Sequence, residues 1–317
     1  MGTIFGPVPS RRLGRSLGID MIPYKTCPYN CVYCELGKTT CQTIQRQSPL
    51  DPDLVCQELR ELLPRMHGAV DYITLAGSGE PTLNKTLGEL VSMIKCLSSI
   101  PIAILTNSSL LPDPEVRKEL REVDLIVPSL DAVSQDIFEH VNHPVAGLQA
   151  ETIIESLIAL RKEFRGQIWI EVLFCQGIND SLTEVQRLHE AVETIRPDLI
   201  QINTVFRPPA IEDTRPCTSE QLDRIAQILG PKAQVVGQSH PGKAEVSQSR
   251  SFRKRIQELL RRRPCTLDDI AQITGLNRAE LIKVLDGLTQ AGLLQRRSYQ
   301  DNIYYHCPAE GLVPEIR

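Results

Sequence analysis

Short apolar segments alternate with helical patterns along the first two-thirds of this 317-residue chain, and that alternation limits the fold more than any other feature. Helical spacing and two predicted N-caps, Asp113 and Ser181, lie between the apolar segments. The predicted strands are Leu17–Ile22, Val70–Ala76, Pro101–Thr106, Asp124–Ser129, Ile168–Phe174 and Leu199–Val205. The predicted helices are Pro52–Leu63, Leu87–Leu97, Pro114–Leu120, Ala150–Phe164 and Leu182–Ile195. Strand alternating with helix predicts βαβ units and a parallel sheet. Periodicity alone allows either a doubly wound sheet or a partial barrel.

The pattern changes towards the C-terminus. After a helix predicted over Ser219–Leu229, the polar residues 238–250 are predicted to be a linker. Beyond it we expect three helices and then a two-stranded ribbon that turns at Asp301-Asn302, which is the order typical of a winged-helix domain. The helices are predicted over Phe252–Leu260, Leu267–Ile273 and Arg278–Gln290, and the ribbon over Leu293–His306. The predicted domains are therefore 1–237, an α/β core, and 251–317, a winged helix.

Charge is divided unevenly between these two parts. The formal net charge is −4, but Ala244–Arg317 holds 12 basic against 9 acidic residues, so the tail carries +3 and the body −7. Basic residues flank the tail helices and enter the ribbon: Arg250, Arg253, Lys254, Arg255, Arg261, Arg262, Arg263, Arg278, Lys283, Arg296 and Arg297. Such residues can neutralise phosphates, so nucleic acid is one expected partner of the tail. A peptide partner, or simple packing against the neighbouring domain, stays open.

Ten cysteines occur in a chain without a membrane-length apolar run or a secretory signal pattern. We therefore expect a cytoplasmic protein with no membrane association, whose clustered cysteines act as metal ligands or catalytic thiols. Cys27, Cys31 and Cys34 fall within eight residues, directly after the first predicted strand. A helical turn or a tight loop would bring the three thiols together. They suit an iron–sulfur cluster with one open coordination position, although a zinc site with a distant ligand or three buried cysteines would share the spacing.

The segment Cys27-Pro-Tyr-Asn-Cys31-Val-Tyr33-Cys34 resembles the CxxxCxxC signature of the radical SAM superfamily. The resemblance implies that the three cysteines hold a [4Fe–4S] cluster whose fourth iron binds S-adenosylmethionine. Reductive cleavage would then give a 5′-deoxyadenosyl radical that abstracts hydrogen from a substrate. It also implies an open partial (β/α)6 barrel of the TIM-like kind, and a reducing partner such as flavodoxin or ferredoxin.

Residues at the ends of the predicted strands add to this resemblance. Leu75-Ala-Gly77-Ser-Gly79-Glu80-Pro81 is similar to the family's glycine-rich motif, in which the backbone and the glutamate receive the methionyl ammonium. The segment Pro128-Ser129-Leu-Asp131 resembles the strand end that binds ribose. The candidate cofactor-binding residues are Tyr33, Gly77, Gly79, Glu80, Asn107, Ser129, Asp131 and Asn203. Taken singly, Asn107 and Asp131 could equally cap a turn or a helix.

The N-terminal sequence Phe5-Gly-Pro-Val-Pro-Ser-Arg-Arg-Leu-Gly14 resembles a group related to the wyosine-base synthases. Those synthases carry a second cluster on upstream cysteines, whereas this chain has none before Cys27, which disfavours that activity. An auxiliary cluster built from Cys41, Cys175, Cys217 or Cys307 stays open. Three arginines could bind an anionic substrate, close the barrel mouth or belong to a solvated N-terminal arm: Arg11, Arg12 and Arg15.

The sequence therefore predicts a radical SAM enzyme that acts on RNA, a protein or peptide, or a small molecule. The alternative is an iron–sulfur or metal-sensing regulator with a DNA-binding tail.

Overall fold

A computed structural model describes residues 3–66, 70–236 and 252–308. Within these residues the helices and strands follow the predicted alternation. The strands are β1 (Ile4–Ser10), β2 (Gly14–Asp20), β3 (Thr26–Cys27), β4 (Cys41–Gln42), β5 (Tyr72–Ala76), β6 (Ile102–Thr106), β7 (Leu125–Pro128), β8 (Gln167–Phe174), β9 (Leu199–Thr204), β10 (Ala233–Val235), β11 (Cys265–Thr266), β12 (Gln295–Tyr299) and β13 (Asn302–His306). The helices are α1 (Pro52–Leu62), α2 (Leu87–Leu97), α3 (Pro114–Glu119), α4 (Gln135–Asn142), α5 (Ala150–Glu163), α6 (Leu182–Ile195), α7 (Ser219–Leu229), α8 (Phe252–Arg262), α9 (Leu267–Thr274) and α10 (Arg278–Gln290).

The main sheet has the strand order β1-β2-β5-β6-β7-β8-β9-β10. Strands β2 to β10 pair in parallel, and β1 pairs antiparallel with β2 as an N-terminal hairpin. The partial (β/α)6 barrel predicted from the sequence is therefore confirmed, and β1 and β10 extend it at its two edges. Because the strands are parallel, their carboxyl ends meet on one side, where parallel α/β folds place their ligands.

Burial on one face of each helix holds the layers together. In α6, Val185, Leu188, Val192 and Ile195 recur at helical spacing and are buried against the sheet. In β8, Ile168, Ile170, Val172 and Phe174 face the helices, while Trp169, Glu171 and Leu173 alternate onto the other face. Each fully buried apolar side chain contributes about 1.5–3 kcal/mol to folding.

The C-terminal elements have their own hydrophobic cluster, which includes Ile256, Leu260, Leu281, Leu285 and Leu288. The ribbon pairs Tyr299 with Asn302, so its turn lies at Gln300–Asp301. The predicted turn at Asp301-Asn302 was therefore wrong by one residue. The turn instead uses the positive φ of Gln300. A short strand, β11, adds a third strand to this ribbon. The assignment as a winged helix stays a prediction, and the linker predicted over 238–250 lies outside the described residues.

The C-terminal elements contact both edges of the open barrel. Arg262 pairs with Asp20 at the end of β2, with 3.4 Å between Nε and Oδ2, and lies 4.5 Å from the ring centroid of Phe5 in β1. Beyond β9, the Tyr304 hydroxyl donates to the Phe206 carbonyl oxygen at 2.9 Å. The tail therefore bridges the two sides of the gap that an incomplete barrel leaves open. No helix in the described part of the chain is long and apolar enough to cross a membrane.

Sequence patterns missed three barrel elements, each for a local reason. Helix α4 has only eight residues, too few for a clear apolar period. Strand β1 contains Pro7 and Pro9, which normally argue against a strand and are tolerated here at a sheet edge. Strand β10 has three residues and no run of apolar side chains.

The predicted N-cap of α3 offers a test of local helix energetics. The Asp113 side chain accepts a hydrogen bond from the Glu115 N–H at 2.9 Å. We expect Asp113→Ala to lower the free energy of unfolding by about 1 kcal/mol, because one helix N–H loses its acceptor. Asp113→Asn keeps an acceptor oxygen and should lose only a few tenths of a kcal/mol. Urea denaturation followed by circular dichroism measures both, and equal losses would contradict the capping role.

Candidate functional site

The three clustered cysteines lie in the loop that follows β2, at the carboxyl end of the sheet. This cysteine loop, residues 21–40, is formed of turns and bends around the short strand β3, so a tight loop and not a helix brings the thiols together. It rests on the turn after β5: the Lys25 N–H donates to the Ser78 carbonyl at 2.6 Å, and the Glu80 N–H donates to the Thr26 carbonyl at 3.1 Å. Backbone bonds in both directions therefore fix the loop against the strand ends.

Each thiol has a nearby nitrogen donor. Asn107 Nδ2 lies 3.2 Å from Cys27 Sγ, and Asn142 Nδ2 lies 3.4 Å from Cys31 Sγ. Lys25 Nζ lies 4.0 Å from Cys34 Sγ. Such N–H donors to ligand sulfur tune iron–sulfur clusters, so this shell of donors fits the predicted centre.

Burial makes the free thiols weak acids in this loop. It raises the pKa of Cys27 to about 12, and Glu80 adds to that shift. Burial likewise raises the pKa of Cys31 well above its ordinary value, with Cys27 adding to it, and raises the pKa of Cys34, where Lys25 partly offsets the effect. Thiolates in such a position need a bound positive centre to offset their charge.

The residues present fit an iron–sulfur cluster better than a single metal ion. Among residues 3–66, 70–236 and 252–308, no group of three or more His, Cys, Asp or Glu side chains has the geometry to hold a metal ion. The three cysteines are unpaired by disulfides and close enough to affect one another's pKa. Ligands of a cluster bind different irons and therefore stand further apart than the ligands of one ion. Three thiols of this kind suit a cluster with one open iron.

The two glycines of the turn after β5 are required by packing against protein. A Cβ on Gly79 would lie 2.1 Å from the Thr26 carbonyl oxygen, and one on Gly77 would lie 2.0 Å from Asp20 Oδ1. Gly77 also has a φ of +128°, which side chains rarely adopt. Sequence reasoning assigned these glycines to close approach of a ligand. In the structure it is the cysteine loop and β2 that approach them.

Glu80 is buried at the centre of this end of the sheet. Its Oε1 accepts from the hydroxyls of Thr82 and Thr106, both at 2.6 Å, and its Oε2 accepts from the Asn107 N–H at 2.7 Å. Burial raises the pKa of Glu80, and these hydrogen bonds partly offset the shift. Oε2 keeps a lone pair beyond this single backbone bond, which leaves it able to accept from a cationic amine.

Asp131 links the cysteine loop to the strands. The Tyr33 hydroxyl donates to Asp131 Oδ2 at 2.5 Å, Asn142 Nδ2 donates to the same oxygen at 2.8 Å, and the Leu173 N–H donates to Oδ1 at 2.9 Å. Burial raises the pKa of Asp131 to about 6, with these hydrogen bonds offsetting part of the shift. The predicted pair Tyr33 and Asp131 therefore meet directly.

A small cavity of about 10 Å³ lies beside the cysteines. Asn107, Ser129 and Asp131 line it together with Tyr29 and Asn142, and apolar side chains such as Phe138 form the rest of its wall. The Tyr29 hydroxyl is buried and has no hydrogen-bond partner in the described part of the chain. A buried, unpartnered hydroxyl needs a polar partner, which a bound molecule or a water can supply.

Comparison with known proteins shows the family to which this chain belongs. A sequence profile described as the Radical SAM superfamily matches residues 21–188, slightly more than half of the chain. The chain belongs to the radical SAM superfamily. Enzymes of this superfamily use a [4Fe–4S] cluster and S-adenosylmethionine, and these are the cofactors of this radical SAM enzyme.

This radical SAM enzyme is also similar to individual proteins. It is 35% identical over 291 residues to a protein named GTPase Obg from Brachyspira hyodysenteriae, covering 91% of this chain but only 43% of that protein's length. It is 31% identical over 322 residues to a UPF0026 protein of Methanocaldococcus jannaschii, covering 96% of each. A radical SAM methyltransferase from Sphaerobacter thermophilus shares its fold with a TM-score of 0.53 at 17% identity, over 69% of this chain and 66% of that one.

Asn203 lies apart from the other predicted cofactor residues of this radical SAM enzyme. Its Nδ2 donates to Glu171 Oε1 at 2.9 Å, and the same carboxylate pairs with the guanidinium of Arg12. Asn203 does not line the cavity beside the cysteines. Glu171 was missed, although a glutamate inside the apolar strand IWIEVLF is a signal that the sequence did offer.

Two other residues near the cysteines were missed. Asn142 contacts both Cys31 and Asp131 from the end of α4, a helix that the sequence patterns did not reveal. Lys25 has a φ of 61° and a nearly fully buried ammonium group that contacts Cys34 and the Gly37 carbonyl. Neither Asn142 nor Lys25 lies in a sequence motif that would mark it as functional.

The cysteines suggested for an auxiliary cluster do not come together as a set. Cys175 and Cys217 are buried and close enough for each to affect the other's environment. Cys41 is exposed in β4, whereas the Cys307 thiol lies 3.6 Å from the Gln257 carbonyl in the tail. Among the described residues, these four cysteines are therefore split between the barrel and the tail, and an auxiliary cluster stays a prediction.

The raised pKa of Asp131 makes stability depend on pH. An unfolded aspartate has a pKa of about 3.9, so between about pH 4 and 6 the folded apo-protein binds more protons than the unfolded chain. Its stability should therefore fall as the pH rises through this range. Relative to Asp131→Asn, we expect the wild-type free energy of unfolding to decrease by about 2 kcal/mol more between pH 4 and pH 7.

Urea denaturation of the apo-protein at several pH values measures this difference. Asp136→Asn, at an exposed position of α4, is the matched control and should follow the wild type. Parallel curves for wild type and Asp131→Asn would contradict the assignment.

Proposed function

We propose that this enzyme cleaves S-adenosylmethionine reductively and uses the resulting 5′-deoxyadenosyl radical to abstract hydrogen from a substrate at the mouth of the barrel. The observation that carries the proposal is the convergence of three thiols, with amide donors on two of them, near Asn107, Ser129 and Asp131 at the carboxyl ends of β6 and β7. A cluster held by Cys27, Cys31 and Cys34 supplies the electron for that cleavage when it is bound.

The residues around the cavity have separate roles in this proposal. Glu80 accepts the methionyl ammonium through Oε2, which has a free lone pair in the structure. Asn107 holds Cys27 and lines the cavity, while Asp131 and Ser129 face the ribose. Because Tyr33 and Asn142 both donate to Asp131, its carboxylate stays oriented before any ligand binds.

The tail is better supported as part of the barrel wall than as a nucleic-acid recruiter. Arg262 contacts Asp20 and Phe5. Arg297 Nη1 donates to the Pro209 carbonyl at 3.2 Å, and Arg296 pairs with Asp286. These arginines were predicted to neutralise phosphates, but their guanidinium groups make contacts within the chain. Binding of RNA or a peptide by the tail, and electron delivery by a flavodoxin or ferredoxin, stay predictions.

A metal-sensing regulator is a weaker alternative for this chain. A sensor needs a metal-dependent change in its DNA-binding part, whereas it does not need Asn107, Ser129 and Asp131 gathered at the carboxyl ends of the strands. The unpartnered Tyr29 hydroxyl, in the cavity that these residues line, also favours a bound small molecule.

Removal of one cluster ligand tests the proposed reaction. After anaerobic reconstitution with iron and sulfide, a strong reductant and S-adenosylmethionine should yield 5′-deoxyadenosine, measured by liquid chromatography. Cys34→Ala should reduce the yield at least a hundredfold, because the cluster loses one of its three protein ligands. Cys96→Ala, exposed on α2, is the matched control and should match the wild type. Failure of a fully loaded wild-type cluster to cleave S-adenosylmethionine would exclude the enzyme function.

A further inference from the structure

Three guanidinium groups gather on the side of the barrel mouth away from Glu80. Arg11 and Arg12 belong to the turn between β1 and β2, and Arg207 follows β9. We call these three residues the arginine cluster. The turn reaches into the barrel, because its next residue, Leu13, packs with Ala103, Leu125 and Val127. This part of the N-terminal arm therefore lies inside the fold, which excludes the interpretation of a solvated arm for it.

Two of the three arginines have a carboxylate partner. Arg12 pairs with Glu171, and Arg207 Nη1 lies 3.0 Å from Glu35 Oε2. Their side chains are 21% and 14% exposed, respectively. The Nε atoms of both are buried without a hydrogen-bond partner among the described residues. The two ion pairs therefore leave N–H donors unused on the guanidinium groups of Arg12 and Arg207.

Arg11 has no carboxylate of its own. Its guanidinium lies over the ring of Phe206 at 4.4 Å from the centroid, and it forms neither a hydrogen bond nor an ion pair with any residue whose side chain the structure describes. Burial lowers its pKa to about 10; the charges of Arg207 and Arg12 lower it further, while Glu35 and Glu171 offset part of the shift. The cluster thus holds three positive charges against two negative ones.

An uncompensated guanidinium in a partly buried site is costly unless an anion joins it. Planar guanidinium groups bind phosphate and carboxylate oxygens through two parallel hydrogen bonds, and stacking on an aromatic ring keeps the fork oriented. Arg11 has both the spare charge and the aromatic support. If the residue at position 11 only filled space, an apolar side chain would be enough there.

The arginine cluster also lies beside the cysteine loop. Arg207 pairs with Glu35, which directly follows Cys34, and Arg12 pairs with Glu171 of β8. On the outer side, Tyr304 of the tail bonds to the Phe206 backbone, the residue on which Arg11 stacks. The arginine cluster therefore lies between the barrel mouth and the tail, next to the cysteine loop.

We propose that Arg11, Arg12 and Arg207 bind an oxyanion of the substrate, a phosphate or a carboxylate group, and so anchor the substrate at the barrel mouth. The inference rests on the proposed function in one respect only, namely that the substrate occupies this mouth. The anion-binding site itself does not depend on cleavage of S-adenosylmethionine.

Titration calorimetry on the full-length, cluster-loaded protein tests the proposal. The protein is held anaerobic and unreduced, with saturating S-adenosylmethionine, at low ionic strength, and is titrated with inorganic phosphate and, separately, with acetate. We expect saturable binding of at least one of the two to wild type, weakened at least tenfold in Arg11→Gln and less in Arg11→Lys, which keeps the charge but loses the fork. Arg15→Gln is the matched control, because Arg15 is exposed in the same hairpin and pairs with Asp71; it should bind as wild type does.

Each result has a distinct meaning. Stronger binding of phosphate than of acetate assigns a phosphorylated substrate, and the reverse order assigns a carboxylate. Equal loss in Arg11→Gln and Arg15→Gln, or no saturable binding of either anion to wild type, overturns the proposal. Binding that appears only when S-adenosylmethionine is left out also overturns it, because the cluster would then serve the carboxylate of that cofactor. Should Arg11→Gln fail to fold, the comparison of Arg11→Lys with wild type decides.

The proposed function and the proposed anion-binding site can be disproved independently of each other. Wild-type protein that binds phosphate but forms no 5′-deoxyadenosine contradicts the radical reaction alone. Wild-type protein that forms 5′-deoxyadenosine but binds neither anion contradicts the arginine site alone.

Discussion

The contact between the cysteine loop and the turn after β5 is the constraint on which the rest of the site depends. Gly79 lies so close to the Thr26 carbonyl that any side chain would displace the loop, and backbone hydrogen bonds to Lys25 and Glu80 close the contact on both sides. Cys27 immediately follows Thr26, and Glu80 immediately follows Gly79. One packing contact therefore fixes a cluster ligand and the buried carboxylate relative to each other, before any cofactor is present.

A second layer of contacts orients the loop from the opposite side. Asn142 reaches both Cys31 and Asp131, and Tyr33 binds the same Asp131 oxygen. Because Asp131 is also bonded to the backbone of Leu173, the loop is tied to β8 as well as to β5. Catalysis benefits from such an arrangement, since reacting groups held in place need little reorganisation.

The sequence predicts the barrel well because the strands and helices depend on local pattern, and the proposed cysteine ligands likewise come from a local pattern. Apolar runs report burial directly, and the spacing of Cys27, Cys31 and Cys34 is a property of one short segment. By contrast, Asn142 and Glu171 matter because of what lies opposite them in space: Asn142 contacts Cys31, 111 residues away along the chain, and Glu171 contacts Asn203, 32 residues away. Gly77 and Gly79 were found for an incomplete reason: the turn needs glycine because another segment of protein crosses it. Arg11 and Arg12 could not be distinguished from a solvated arm, since only the fold carries their turn into the barrel.

The mouth of the barrel is divided by charge, and the division follows from the open sheet. On the β5–β7 side, buried carboxylates and amides surround the cysteines; on the side of β8 and β9, arginines predominate. An incomplete barrel leaves a gap between its first and last strands, and both the hairpin turn and the tail fill that gap. Apolar side chains would be enough to fill this gap for stability, as Leu13 fills the barrel lower down. Arg11 stacks on the ring of Phe206, and the Phe206 carbonyl oxygen binds Tyr304 of the tail, so a half-buried cation lies where the hairpin turn, the end of β9 and the tail meet. The proposed substrate anchor lies there because, among the described residues, Arg12 and Arg207 have carboxylate partners and Arg11 does not.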